Sequence, residues 1–188
     1  MHRGERRSPV SEVADSRLER AKRGDADAIG ELYSDLAPGV AGYLRGSGAP
    51  DVEDLAGDVF VAMIRGLAAF QGDEAAFRRW VFTIAHHRMV DALRRESARS
   101  VDLPRIRSAV VEEDGYERVL ERIDAAPAVS ALARLTAEQR DAVLLRSVVG
   151  LSVADTAAVL QKSSGAVKTL HRRALGALAR LVDGETVS

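Results

Sequence analysis

Apolar residues recur every three or four positions along most of this 188-residue chain, and this spacing constrains the fold more than any other feature. After Asp51, for example, Leu55, Val59 and Met63 fall on one side of a predicted helix. Alanine, leucine and arginine dominate, and aromatic residues make up only 4% of the chain. Unbranched side chains lose little rotamer freedom in a helix. With no strand pattern of useful length, the sequence predicts an all-α protein.

Glycine and proline divide the helical runs into two groups. The stretch 97–127 is broken by Pro104, Gly115 and Pro127, and residues 112–124 hold six acidic residues against two arginines. We therefore expect two small helical domains, over residues 14–98 and 127–184, joined by a flexible acidic linker over 99–126. The polar segment 1–13 is predicted to be a disordered tail.

Turn and capping residues predict where individual helices begin and end. In the first domain, the predicted markers are a break at Gly24–Asp25, a further helix with Pro38 in an early turn, a loop at Gly46–Pro50, a cap at Asp51 for a helix to about Phe70, and a cap at Asp73 for a helix that ends before Pro104. In the second, they are capping boxes at Thr136–Gln139 and Ser152–Asp155, a helix end at Gly150, a turn at Gln161–Ser163, and a last helix to about Leu181.

Composition excludes several classes of function. The chain has no cysteine, which rules out disulfides, thiolate zinc sites and thiol catalysis. The N-terminal stretch MHRGERRSPV is charged and has no apolar run behind it, so we expect neither a signal peptide nor an anchor. No apolar stretch approaches the length of a membrane span, and we expect a cytoplasmic protein without membrane insertion.

Charge is concentrated in islands although the formal net charge is only −1. Residues 78–107 hold eight arginines against three acids, and residues 161–180 hold five basic residues and no acid. Acidic residues cluster at 51–58 and again at 112–124. Two basic and two acidic islands indicate several distinct partners.

The end of the chain has the pattern of a helix-turn-helix. Two predicted helices are joined by a short polar turn, the second is much more basic than the first, and small residues at Ala157 and Gly165 allow close approach. Hydroxyl and cationic side chains that point outward from the second helix would contact phosphates and major-groove base edges: Ser164, Lys168, Thr169, Arg172 and Arg173. The alternative is a solvated basic helix in a plain bundle.

The stretch RRWVFTIAHHRMVDALRR, residues 78–95, contains the only tryptophan and two adjacent histidines. On a helix His86 points about 100° away from His87, so the two cannot readily share a metal. One stripe instead holds Trp80, Thr83, His87, Asp91 and Arg94, opposite an apolar face of Val81, Ala85, Met89 and Ala92. An aromatic ring among arginines suits single-stranded DNA. The alternative is that His87 and Asp91 merely pair on the surface, and we expect no catalytic residue, metal or cofactor.

Three ordered motifs carry a family resemblance: Asp51–Phe60, Phe77–Arg95 and Leu135–Leu175. Together they resemble bacterial RNA polymerase sigma factors of the extracytoplasmic-function (ECF) type, with region 2 over Arg17–Arg95 and region 4 over Pro127–Val182. The resemblance implies a dissociable specificity subunit rather than an enzyme. It also implies binding to the β′ coiled coil and β flap of core polymerase, to promoter DNA and to an anti-sigma factor.

The resemblance assigns roles to individual residues. The residues it implies for polymerase binding are Asp51, Glu53, Asp54, Leu55, Asp58, Val59 and Phe60. Those implied for the melted −10 element are Arg78, Arg79, Trp80, Thr83, His87, Arg88, Asp91, Arg94 and Arg95, with a flipped base held near residues 71–80. Those implied for the −35 element are Ser164, Lys168, Thr169, Arg172 and Arg173.

The chain departs from the family pattern at three positions. Gly57 stands where glutamine is usual, His87 where asparagine is common, and Leu170 where many members have arginine. We therefore expect a promoter preference different from the usual one, since histidine and asparagine differ in reach and in hydrogen bonding. The alternative function is a stand-alone helix-turn-helix regulator.

Overall fold

The computed structural model of the chain describes residues 16–99 and 130–185, and these residues form helices and short connections without a strand. The first domain comprises α1 (Arg17–Lys22), α2 (Ala26–Ser47), α3 (Val52–Leu67) and α4 (Glu74–Arg99). The second comprises a helical turn at 130–133, α5 (Ala137–Val143) with a π-helical continuation (Leu144–Val148), α6 (Val153–Val159) and α7 (Ser164–Glu185). The predicted tail and nearly all of the predicted linker lie outside the described residues.

Short-range hydrogen bonds start the helices where the sequence predicted. The Asp51 carboxylate accepts from the Asp54 amide at 3.1 Å, and the Asp73 carboxylate accepts from the Ala76 amide at 2.8 Å. Thr136 and Gln139 form a reciprocal capping box at the start of α5. These bonds satisfy amide groups that have no partner within the helix. The predicted caps are therefore confirmed.

The predicted interruption of α2 at Pro38 is wrong, because one continuous helix runs through it from Ala26 to Ser47. A proline inside a helix costs about 3 kcal/mol, since it lacks an amide hydrogen and crowds the preceding turn. The residues around it are in the core: Leu36, Ala37 and Val40 are all buried. Their packing outweighs the local cost. The helix ends at Gly48, whose φ of 79° is left-handed, so the loop begins two residues later than predicted.

Helix α4 is held by the apolar face that its sequence predicts. Val81, Ala85, Met89 and Ala92 are all buried against α2 and α3. Burying a valine or methionine side chain contributes about 1.5–3 kcal/mol. The opposite face is thereby fixed toward the surface, and this orientation sets which polar side chains are available to a partner.

The second domain packs directly on the first, an arrangement that the sequence did not predict. Leu144, Leu145, Val149, Leu151 and Val159 belong to the same buried cluster as the core of the first domain. A smaller cluster that lies within the second domain contains Leu135, Val143 and Ala174. Much of the buried apolar surface of the second domain therefore depends on the first.

Gly66 makes room for the only tryptophan. A β-carbon at this position would lie 2.7 Å from the Trp80 ring, which also packs against Phe70 and Phe77 at centroid distances of 5.3 and 5.6 Å. Gly57, on the same helix, has nothing within 4 Å of the corresponding position. The two glycines of α3 thus have different reasons to be there.

Replacing each glycine by alanine separates these reasons. We expect Gly66→Ala to destabilise the protein by about 1–3 kcal/mol, because the added methyl group overpacks the tryptophan. Gly57→Ala, the matched control, should stabilise it by about 0.5–1 kcal/mol through helix propensity. Chemical denaturation followed by Trp80 fluorescence measures both. Equal stabilisation by the two changes would contradict the packing assigned to Gly66.

Candidate nucleic-acid interface

Helices α6 and α7 form a helix-turn-helix whose second member presents cations to the surface. Val167 and Ala174 are fully buried and fix the orientation of α7. Gln161, with φ of 52°, occupies the turn between the helices. Four of the five predicted −35 residues are exposed on α7: Ser164, Lys168, Arg172 and Arg173. The fifth, Thr169, is half-buried, and its hydroxyl donates to the Gly165 carbonyl at 3.0 Å.

An additional arginine joins this surface. Arg172, Arg173 and Arg180 line one open cleft together with Gln139 of α5. Arg180 was not among the predicted DNA contacts, although its spacing of seven residues from Arg173 could have placed it on the same face. Three guanidinium groups on one cleft form a site for phosphate oxygens.

The outer face of α4 carries most of the predicted −10 residues. His87, Arg88, Asp91, Arg94 and Arg95 are all exposed along it. Thr83 is half-buried and donates its hydroxyl to the Arg79 carbonyl at 2.9 Å. No group of three or more potential metal ligands occurs within residues 16–99 and 130–185. The geometry is that of an extended cationic stripe.

Trp80 lies beside this stripe but is only partly accessible. Its ring is half-buried between Phe70 and Phe77, with its far edge over Gly66. The neighbouring rings fix its orientation. One part of the indole therefore remains at the surface in a rigid position, which lowers the entropy that a stacked base would cost.

Arg78 and Arg79 have a different environment, because both contact the second domain. Arg79 Nη1 lies 2.9 Å from Asp155 Oδ1 of α6. Arg78 Nη2 donates to the Val149 carbonyl at 3.0 Å. Two of the nine predicted −10 residues are thus directed at the second domain and away from the exposed stripe.

The predicted polymerase-binding residues of α3 divide into two groups. Asp51, Glu53, Asp54 and Asp58 are exposed, whereas Leu55, Val59 and Phe60 lie in the core of the first domain. Two apolar residues that the sequence reasoning did not select, Val61 and Ile64, are 46% and 52% exposed on the same helix. Their spacing of three and six residues from Asp58 could have identified them. The available surface is acidic residues followed by two apolar side chains.

A polar cluster lies between the two domains beneath these surfaces. We name Tyr43, Ser47, His86 and Asp141 the interdomain polar cluster. Tyr43 Oη lies 2.8 Å from His86 Nδ1 and 3.4 Å from Asp141 Oδ1, and the Ser47 hydroxyl donates to Asp141 Oδ1 at 3.3 Å. With the hydrogen of His86 on Nδ1, donors run in one direction from His86 through Tyr43 to Asp141. The cluster satisfies polar groups that the apolar contact would otherwise strand.

Comparison with known proteins identifies the family. The description Sigma-70 region 2 matches residues 31–99, and Sigma-70, region 4 matches residues 127–178. The chain is 35% identical to the ECF RNA polymerase sigma factor BldN of Streptomyces coelicolor, over 94% of this chain and 70% of that protein. It is 33% identical to ShbA of Streptomyces griseus, also an ECF RNA polymerase sigma factor, over 94% of this chain and 99% of that protein.

The chain belongs to the ECF sigma factors of the sigma-70 family. Two solved sigma factors resemble this one: CnrH, determined with the cytosolic domain of CnrY, has a TM-score of 0.66 at 28% identity and covers 89% of this chain and 96% of its own. RpoE of Bartonella quintana, determined with the anti-sigma factor NepR, has a TM-score of 0.69 at 25% identity, with 84% and 97% covered.

The family membership decides between the two functions that the sequence left open. Both sigma regions are present, in order, in one chain. The sigma factor is therefore an RNA polymerase-associated protein of promoter recognition, and the stand-alone regulator is not favoured. Within residues 16–99 and 130–185, no helix has the length and apolar character needed to cross a bilayer.

Burial changes the titration of two groups in the sigma factor's interdomain polar cluster. It lowers the pKa of His86 from 6.5 to about 4, assisted by the neighbouring His87. It raises the pKa of Asp141 from 3.8 to about 6, against the attraction of Arg140, and Glu138 acts in the same direction as burial. The side chains of His86 and Asp141 are only 15% and 12% exposed. Both groups are therefore held toward their neutral forms.

These opposite shifts predict an unusual dependence of stability on pH. His86 lowers stability as the pH falls from 6.5 to about 4, because the unfolded chain binds its proton first. Asp141 lowers stability as the pH rises from 3.8 to about 6, because the unfolded chain releases its proton first. Between about pH 4 and pH 6 the two effects oppose each other, so the pair contributes little net slope.

Replacing Asp141 by asparagine should expose the contribution of His86. Between pH 6 and pH 4 we expect the unfolding free energy of Asp141→Asn to fall more steeply than that of the parent, by up to about 1.4 kcal/mol per pH unit. Chemical denaturation at several pH values measures the two slopes. Glu138→Gln, an exposed acid on the same helix, should keep the parent slope. Equal slopes for the parent and Asp141→Asn would show that the shifts are absent.

Proposed function

We propose that this sigma factor binds core RNA polymerase, recognises the −10 and −35 promoter elements with separate domains, and promotes DNA melting to start transcription. Residues 14–98 would bind polymerase and the −10 element, and residues 127–184 the −35 element. The observation that carries the proposal is the placement of exposed cationic stripes on α4 and α7, one in each sigma region. The protein supplies specificity and performs no catalysis itself.

The surface of α3 is the proposed contact with the polymerase. Exposed carboxylates at Asp54 and Asp58 would meet cationic residues of the β′ coiled coil, and Val61 and Ile64 would bury apolar surface beside them. Leu55, Val59 and Phe60 support this surface from within the core. Gly57 leaves a gap in it, since no side chain occupies the space above the helix.

The outer face of α4 is the proposed site for the melted −10 strand. Arg88, Arg94 and Arg95 would contact successive phosphates, while the indole of Trp80 offers a flat, fixed surface for an unpaired base. His87 lies exposed within this stripe and would contact a base edge. Melting is favoured because this surface binds the single strand and not the duplex.

The surface of α7 is the proposed site for the duplex −35 element. A helix of this length fits the major groove, with Ser164 and Lys168 near its N-terminal end and Arg172, Arg173 and Arg180 farther along. A contact with the β flap of polymerase would hold the domain at a set distance from the −10 site. The protein would act in the cytoplasm, with an anti-sigma factor as a further partner, as RpoE has NepR.

Run-off transcription tests the proposal. Purified core polymerase and a library of promoter fragments are combined with and without the protein. We expect initiation from a subset of promoters only when the protein is present. If no promoter is used while the protein alone binds duplex DNA tightly, the stand-alone regulator would be the better description.

Arg172→Ala tests the α7 surface. We expect weaker binding of holoenzyme to duplex promoter DNA, with a salt dependence whose slope falls by about one counterion. Arg134→Ala, an exposed arginine outside α7, serves as the matched control and should leave the slope unchanged. Binding isotherms at several salt concentrations give both slopes. An unchanged slope for Arg172→Ala would remove this residue from the interface.

His87→Asn tests the origin of promoter choice. Because His87 is exposed, the change should leave stability within about 0.5 kcal/mol. We expect the ranking of −10 sequences in a run-off library to change, whereas the ranking of −35 sequences stays the same. Ser97→Ala, on the same helix and also exposed, is the control and should change neither. An unaltered −10 ranking for His87→Asn would mean that this residue does not read a base.

A further inference from the structure

The contact between the domains uses residues that the −10 strand would need. Arg79 is paired with Asp155 of α6 at 2.9 Å, and Arg78 donates to the Val149 carbonyl at 3.0 Å. Asp155 also accepts from the Ser152 hydroxyl, so its carboxylate is held in position for the arginine. A phosphate could reach Arg79 only by displacing this carboxylate. The second domain thus occupies part of the proposed single-strand site.

The contact is extensive enough to hold the domains together. Leu144 and Leu145 are buried beside α2, and Val159 of α6 belongs to the same cluster as the core of the first domain. Gly46 permits the approach, because a β-carbon there would lie 2.7 Å from Leu144 Cδ2. The interdomain polar cluster hydrogen-bonds across the same boundary. Apolar burial, an ion pair and hydrogen bonds act at one interface.

This arrangement cannot engage both promoter elements at once. Helix α6 contacts α4 through the Arg79–Asp155 pair and forms the helix-turn-helix with α7. Packed helices lie about 8–10 Å apart, so the two DNA surfaces are separated by roughly 20 Å. The −10 and −35 elements are about 25 base pairs apart by name, or about 85 Å at about 3.4 Å per base pair. The domains must separate before both are bound.

We propose that the interface between the domains is an autoinhibitory latch, which keeps the free protein from binding the −10 strand until core polymerase separates the domains. The inference rests on the proposed function. The closed arrangement masks Arg78 and Arg79 and holds α7 too close to α4 for promoter spacing. The covalent connection permits opening, since 30 residues between positions 99 and 130 can span up to about 100 Å.

A reversible cross-link tests the latch directly. The chain has no cysteine, so a Gly46→Cys, Leu144→Cys pair would be the only thiols present. A β-carbon at Gly46 lies 3.4 Å from Leu144 Cγ, which brings the two β-carbons close to the separation of a disulfide. The oxidised protein is fixed in the closed arrangement, and the reduced protein is its own control for folding.

We expect the oxidised pair to lose run-off transcription at least tenfold and to regain it after reduction. Each single-cysteine variant, treated with the same oxidant, should remain active. Equal activity of oxidised and reduced protein would overturn the latch and leave the proposed function intact. Failure of the reduced protein and of the parent to initiate at any promoter would overturn the proposed function, and the latch with it.

A second variant loosens the latch without a cross-link. Asp155→Asn removes the charge that pairs with Arg79, whereas Glu138→Gln removes a charge from the same domain that pairs with Lys162 inside it. We expect the free Asp155→Asn protein to bind a single-stranded −10 oligonucleotide severalfold more tightly than the parent does. Glu138→Gln should bind like the parent. Equal gains in the two variants would reduce the effect to net charge and contradict the latch.

Discussion

The packing of the second domain against α2 and α4 is the interaction on which the rest of the arrangement depends. Leu144 and Leu145 enter the core of the first domain, and the π-helical turn that carries them follows directly on α5. Tyr43 and Asp141 hydrogen-bond across the same boundary, which gives the apolar contact a defined register. The position of α6, and with it the Arg79–Asp155 pair, follows from this packing.

This packing divides the DNA-binding surfaces into available and occupied parts. The cations of α7 and the outer stripe of α4 face solvent, as does the acidic and apolar surface of α3. Arg78 and Arg79 are instead bound by the second domain. A sigma factor in this arrangement presents its polymerase-binding helix while its −10 site is incomplete. Binding to polymerase and exposure of the site can therefore be coupled by one movement.

Local chemistry made much of the fold predictable, and nonlocal packing explains what was missed. Caps such as Asp51 and Thr136 act within four residues, so the sequence alone identifies them. Pro38 misled the prediction because its cost is local while the packing that outweighs it comes from the core. Asp141 resembles any surface acid of an amphipathic helix. Only the docking of the second domain buries it beside Tyr43, and no sequence spacing records that contact.

A distance between the two domains tests most directly whether they are closed in the free protein and open on the polymerase. Because the chain has no cysteine, Gly30→Cys on α2 and Glu138→Cys on α5 can carry spectroscopic labels at two exposed positions, and the distance between them can be measured. We predict one short distance in the free protein and a much longer one after addition of core polymerase and promoter DNA. The same distance in both states would contradict the latch.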